Sequence, residues 1–175
     1  MKQINSFFEI DTFNADDTMI ILDIDETILY YDQITPNWWA DTFKRFYTQT
    51  NDYDAADTLT TTLWSETIQN MKPRHTDENG LRHLLNNYNC VFVTARMNDL
   101  EQYTMNEFEH LNIPYRQVHY CGSTNKGDVI LSLLPSNVKN VIFIDDRKCN
   151  CIDVKEALLN NDFSVHIYQF VLKSD

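Results

Sequence analysis

Glycine is scarce in this chain: Gly80, Gly122 and Gly127 are the only three among 175 residues. A glycine-rich loop that wraps phosphate in backbone amides is therefore excluded. Any phosphate must be held by side chains, helix N-terminal amides or a metal. Cations are few as well. Fourteen Lys and Arg face 26 Asp and Glu, for a net charge of −12. That balance argues against nucleic acid as a bulk partner, because phosphate backbones are gripped by clustered cations. It argues equally against an anionic membrane surface, and no apolar run approaches the length of a membrane span. Surface solvation accounts for most of the acid, yet a phosphate ester remains a usable substrate where a divalent cation makes the pocket locally positive. The four cysteines (Cys90, Cys121, Cys149, Cys151) lack CxxC spacing and read as reduced thiols of a cytosolic-type protein. The start, MKQINSFFEIDTFNADD, has no basic stretch followed by an apolar core. No signal peptide is expected, and a cytoplasmic location follows, with secretion by a signal-independent route left open.

What is present is a globular composition, 43% hydrophobic and 13% aromatic, at a length suited to one domain with a substantial core. Five short apolar runs predict strands near 19–23, 90–94, 116–120, 141–145 and 164–169. Helical patterns lie between them. Asn98 with Glu101 makes a capping pair ahead of Leu100, Tyr103, Phe108 and Leu111, with Pro114 beyond. Lys126 to Leu134 predicts a short helix closed by Pro135, and Asp153 to Leu159 another. Alternating strands and helices imply an α/β, Rossmann-like parallel sheet with helices on both faces. The stretch from Thr27 to Asn89 is too long for one crossover. Thr35–Pro36 reads as an N-cap and first helical residue, opening a helix with Trp39, Phe43, Phe46 and Tyr47 on one face. A second pattern groups Ala56, Leu59, Leu63, Ile68 and Met71 before Pro73. A third helix, Asp77 to Asn87 capped by Thr76, is the ordinary crossover. The first two predict a small helical lid at about 32–74 inside a single domain spanning 1–175.

Met19 to Leu29, MIILDIDETIL, is the most informative segment. Its apolar run reads as a buried parallel strand, with Asp23 at the carboxyl end and Asp25 two residues on, where open α/β sheets place their chemistry. Three further strand-end signals follow: Thr94 in NCVFVTAR, Lys126 in STNKGDVILSLL, and Asp145–Asp146 in NVIFIDDRKCN. Phosphoryl transfer needs these parts. Asp23 is the candidate nucleophile, able to form an aspartyl-phosphate. A cation must lie between two anions for that attack, and Mg²⁺ bridging Asp23 and a phosphate oxygen supplies it. Asp25 on the leaving-group side gives a proton and then takes one from water. Thr94 and the Ala95 amide can donate to phosphoryl oxygens, and Lys126 supplies a point charge. Asp145 is the second metal ligand, with Asp146 acting through water or by orienting Lys126. Two adjacent carboxylates at a buried strand end repel each other and call for a cation. Thr27, a candidate beside the phosphate, otherwise reads as a turn or cap hydroxyl bonding local backbone, Asn150 supports the last motif, and Arg96 either binds substrate or pairs with an acid. DxD alone would read as a helix cap or turn, and a lone strand-end Thr as structural. Trp38, Trp39 and Trp64 read as lid core or as a stacking surface for substrate, and the five histidines show no metal spacing.

The ordered set of four motifs resembles the haloacid dehalogenase (HAD) superfamily of phosphatases over about 18–169. Glu26 in DIDET, where many members carry Gly, resembles the class B acid phosphatase branch. The runs TARMNDLEQYT and HYCGSTNKGDVILSLL are similar to a HAD-like branch known mainly from intracellular bacteria. The resemblance implies a Mg²⁺-dependent phosphomonoester hydrolase acting on a small phosphorylated substrate, with the Asp25 backbone carbonyl as a further Mg²⁺ ligand and Thr27 stabilising the nucleophile loop rather than reacting. Of three competing readings, the motif order disfavours the first and the other two stay open. A receiver domain uses similar residues but places its acidic pair first. A two-metal phosphodiesterase or nuclease would use Asp23, Asp25, Asp145 and Asp146 without needing Lys126. A HAD-like interaction or effector module would act on a host or partner protein with weak or no catalysis.

Overall fold

The computed structural model describes residues 1–35, 37–114, 116–159 and 161–172. In chain order the elements are β1 (Lys2–Ile4), β2 (Thr18–Leu22), β3 (Leu29–Tyr30), α1 (Trp38–Thr50), α2 (Tyr53–Ile68), β4 (Arg74–His75), α3 (Glu78–Asn87), β5 (Asn89–Thr94), α4 (Glu101–His110), β6 (Val118–Tyr120), α5 (Lys126–Leu133), β7 (Asn140–Asp145), α6 (Lys148–Leu158) and β8 (Ser164–Phe170). Six strands form one parallel sheet in the order β1-β8-β7-β2-β5-β6. The expected five are present, and a sixth, β1, joins the edge beside β8. Its three residues carry one buried side chain, Ile4, too little pattern to mark a strand.

Parity along the strands divides the core. Met19, Ile21, Val91, Val93, Val141, Phe143 and Ile167 cluster with Ile130 of α5 and with Cys151, Val154 and Leu158 of α6. On the opposite parity, Phe92 packs its ring on Phe108 of α4, and the Cys90 thiol reaches the Leu84 carbonyl of α3. Both faces of the sheet are therefore covered, which is why the central strands are continuous apolar runs. Register then places the chemistry. Leu22 pairs with Phe92 on one side and with Ile144 on the other, so β2, β5 and β7 end together at one edge.

Several helix boundaries differ from the sequence pattern. Asp77, not Thr76, caps α3 by accepting from the Gly80 N–H; the Thr76 hydroxyl donates instead to the Thr27 carbonyl at 2.5 Å. Asn98 opens a short 3-10 turn with no side-chain cap before α4. α6 starts at Lys148 rather than Asp153, directly behind the acidic pair.

The chain forms two compact units: residues 1–30 with 75–175, and residues 31–74. The smaller unit is the α1–α2 hairpin. Asn37 stands at the N-cap of α1; Pro36 lies outside the described residues, and Thr35 precedes the cap. Tyr31 and the indoles of Trp38 and Trp39 gather around Trp64, with ring centres 5.2 to 6.3 Å from it. Of the grouped α2 residues Ala56 and Ile68 are buried, but Leu59 is 41% exposed. Thr60 takes the buried position in its place.

Candidate active site

The loop after β2 is wound tightly around one carbonyl. Ile24 O accepts the N–H groups of Thr27, Ile28 and Leu29 at 3.3, 3.0 and 3.2 Å, and Ile24, Ile28 and Leu29 are buried as its anchors. At the bend, Glu26 takes φ 61°, a backbone region that glycine enters without steric cost and a side chain occupies under strain. The winding leaves Asp23 at the strand end, where its N–H donates to Ile144 O of β7 at 2.9 Å. The neighbouring carbonyl is thus that of the residue before Asp145, and the two aspartates lie side by side.

Lys126 joins them. It is the first residue of α5, capped by Asn125, and its Nζ donates to Asp23 Oδ1 at 2.5 Å and to Asp145 Oδ2 at 2.7 Å. The lysine is buried, not a solvated helix-start cation. Asp145 is also held by Asn150 Nδ2 at 3.0 Å from each carboxylate oxygen and by the Arg147 N–H at 2.8 Å. Thr27 ties the first loop to the last: its Oγ1 accepts the Asp146 N–H at 3.0 Å and sits 3.5 Å from Asp23 Oδ2. Completely buried, it serves as a loop tie. Thr94 closes β5 beside them, its hydroxyl accepting the Arg96 N–H at 3.2 Å, with Ala95 exposed just beyond.

Electrostatics at this edge are lopsided. Carboxylate oxygens of Asp23, Asp145 and Asp146 lie within 4.8 Å of one another, and Lys126 pairs with Asp23 and Asp145. Burial pushes Asp23 up to about 7, with Asp145 and Asp25 adding to the rise against the pull of Lys126. Burial likewise raises Asp146 well above the usual carboxylate range, reinforced by Asp145, Asp23 and Glu26. Glu26 is raised to about 7 by burial and by Asp25. Lys126 loses some affinity for its proton through burial, but Asp145 and Asp23 more than restore it, so it is held firmly charged. Hard oxygen donors packed this closely, with protonation of Asp23 and Asp146 favoured despite Lys126, suit a divalent cation such as Mg²⁺.

Asp25 stands differently from the other three metal candidates. Its carboxylate is paired with Arg96, with Nε to Oδ2 at 2.9 Å and Nη2 to Oδ1 at 2.7 Å. Of the two readings open for Arg96, the structure displays the pairing with acids: Asp25 and the buried Glu107.

The model of the NLI interacting factor-like phosphatase family matches residues 18–168. The chain belongs to the NLI interacting factor-like phosphatase family. That span reaches from the first residue of β2 into β8 and contains all four strand-end motifs. Among solved structures, it is similar to the HAD domain of the effector protein Lem4 from Legionella pneumophila. Identity is 14% over 91% of this chain and 88% of that one, with a TM-score of 0.54. An inactive mutant of the same domain matches over the same shares at a TM-score of 0.52. These likenesses establish a HAD-like fold. Among curated proteins no sequence matches.

Membership in this phosphatase family supports phosphatase activity in general. Two parts of the site escaped the motif reading. Glu107 and Thr104 are buried on α4 together with Phe108. A glutamate lying within the apolar stripe Leu100, Tyr103, Phe108, Leu111 was the signal that could have found them, since a buried acid needs a partner.

Proposed function

We propose that this protein is a Mg²⁺-dependent phosphomonoester hydrolase working through an aspartyl-phosphate on Asp23. The observation that carries the reading is Lys126 bonded at once to Asp23 and Asp145 at the edge of a three-carboxylate cluster. Asp23 and Asp145 would hold Mg²⁺, with Asp146 through water and Asp25 through its backbone carbonyl. When bound, the ion offsets the repulsion between the Asp23 carboxylate and the phosphoryl oxygens.

The chain's own residues supply the rest. An Asp23 carboxylate oxygen attacks phosphorus, and the bond from phosphorus to the ester oxygen breaks. Where the departing oxygen needs a proton, Asp25 in its protonated form gives it; the Asp25 carboxylate, the form paired with Arg96, takes a proton from the water that attacks the aspartyl-phosphate. Inorganic phosphate leaves, and the Asp23 carboxylate is restored. Lys126 balances charge on the nucleophile and the phosphoryl group, while Thr94 and the Ala95 amide lie at the strand end where phosphoryl oxygens would be received. A two-metal nuclease gives Lys126 no such task, and a net charge of −12 opposes a polynucleotide substrate. Phosphorylated small molecules remain the expected substrates. The effector origin of the Lem4 domain adds phosphorylated host or partner proteins to those worth testing.

The test is phosphate release from a panel of phosphorylated metabolites and phosphopeptides, with Mg²⁺ and with EDTA. Mg²⁺-dependent release from at least one monoester is expected. Release unaffected by EDTA, or cleavage of diesters alone, would overturn the reading.

A further inference from the structure

Arg96 occupies a position that the proposed chemistry does not yet use. Its side chain is 1% exposed. Two of its nitrogens meet the two oxygens of Asp25. The third, Nη1, donates to Thr104 Oγ1 at 2.9 Å and to the Glu107 carboxylate. Thr104 is itself anchored, its hydroxyl donating to the Leu100 carbonyl at 2.9 Å. The guanidinium also lies 5.9 Å from the centre of the Tyr103 ring. Tyr103, Thr104 and Glu107 all belong to α4. One helix thus orients a planar fork, and the fork grips both oxygens of one carboxylate.

Burying an arginine with two acids is a poor way to stabilise a core, since desolvation consumes most of the Coulombic gain. Its value lies in geometry. A bidentate guanidinium–carboxylate pair fixes both the distance and the plane of the carboxylate, and proton transfer depends on such alignment. An arginine with this little exposure is also badly placed to grip substrate.

We infer that Arg96, braced by Glu107 and Thr104, is a positioning residue that holds the Asp25 carboxylate in its working orientation. This rests on the proton-transfer role proposed for Asp25. Loosening the brace lets Asp25 rotate. The aspartyl-phosphate then still forms from an ester whose leaving group departs as a stable anion, while its cleavage by water, which needs the Asp25 carboxylate to take a proton, slows.

4-Nitrophenyl phosphate makes the test, because its leaving group departs without a proton and formation of the phosphoenzyme then does not call on Asp25. The readouts are the fraction of enzyme carrying the phosphoryl adduct during turnover, by acid-quenched mass spectrometry, and kcat/KM, which reports the steps up to phosphoenzyme formation, both measured with Mg²⁺ on the full chain. In Glu107→Gln the breakdown of the adduct should slow about tenfold with kcat/KM held. Arg96→Lys keeps a buried cation but cannot grip both oxygens, and breakdown should slow at least as far. Either variant suffices if the other fails to fold. A parallel fall in kcat/KM, or unchanged breakdown, overturns the inference while leaving the proposed function standing. A wild-type protein that cleaves neither this ester nor any monoester in the wider panel overturns both.

Discussion

Lys126 pairs with Asp23 and Asp145 beside the carboxylate of Asp146, and this crowding of acids has a measurable consequence for single residues. Burial raises Asp23 from 3.8 to about 7. Metal-free native protein then keeps a proton that the unfolded chain releases, so its stability falls as pH rises from about 4 toward 7. A bound cation favours the carboxylate and works against that loss. The increase in Tm on adding Mg²⁺ should therefore be small near about pH 5 and large near about pH 8. In Asp145→Asn, Mg²⁺ affinity by isothermal titration should fall at least about tenfold. A Tm shift independent of pH, or unchanged affinity in the variant, would contradict the assignment. At this scale much was legible in the sequence. Asp23, Thr94 and Asp145 each end an apolar run, and a run buried on both faces announces where it stops. The grip of Arg96 on Asp25 was not legible, because it depends on a loop bringing residues 71 positions apart into contact.

Elements were legible in proportion to their burial. β2 and β7 have almost every side chain inside, and the expected strands agree with them to within a residue. β6 is shorter than expected, at Val118–Tyr120, since a strand of half-buried residues carries a weaker pattern. Helix starts fared worse. Neighbouring polar residues compete for a cap, and Asp77 outcompetes Thr76 because the latter is drawn to Thr27. In the α1–α2 unit the apolar face was overdrawn: Tyr47 is exposed along with Leu59. We propose that this unit governs which esters are turned over, its half-exposed tryptophans giving it a surface for apolar leaving groups. Replacing residues 32–74 with a short linker should broaden activity toward small esters or abolish turnover of a larger one. An unchanged activity profile across the panel would make the unit mere scaffolding.

Across the whole molecule, the site is assembled from segments far apart in the chain. The loop after β2, the end of β5, the start of α5 and the end of β7 meet because parallel strands in register finish at one edge. Strand register turns a sequence with scattered acids into one dense anionic cluster, and the fold's excess of negative charge makes a metal and a charged substrate mutually dependent there. The central claim is that Asp23 becomes covalently phosphorylated. Acid-quenched mass spectrometry after mixing with 4-nitrophenyl phosphate and Mg²⁺ tests it most directly, using wild type, Asp23→Asn and Asp25→Asn. Asp25→Asn keeps the nucleophile but lacks the group that takes a proton from water, so the phosphoenzyme should accumulate, with a mass increase of one phosphoryl group on Asp23. Asp23→Asn should show neither adduct nor turnover. An adduct on any other residue, or wild-type turnover with no adduct in any of the three proteins, would contradict the account.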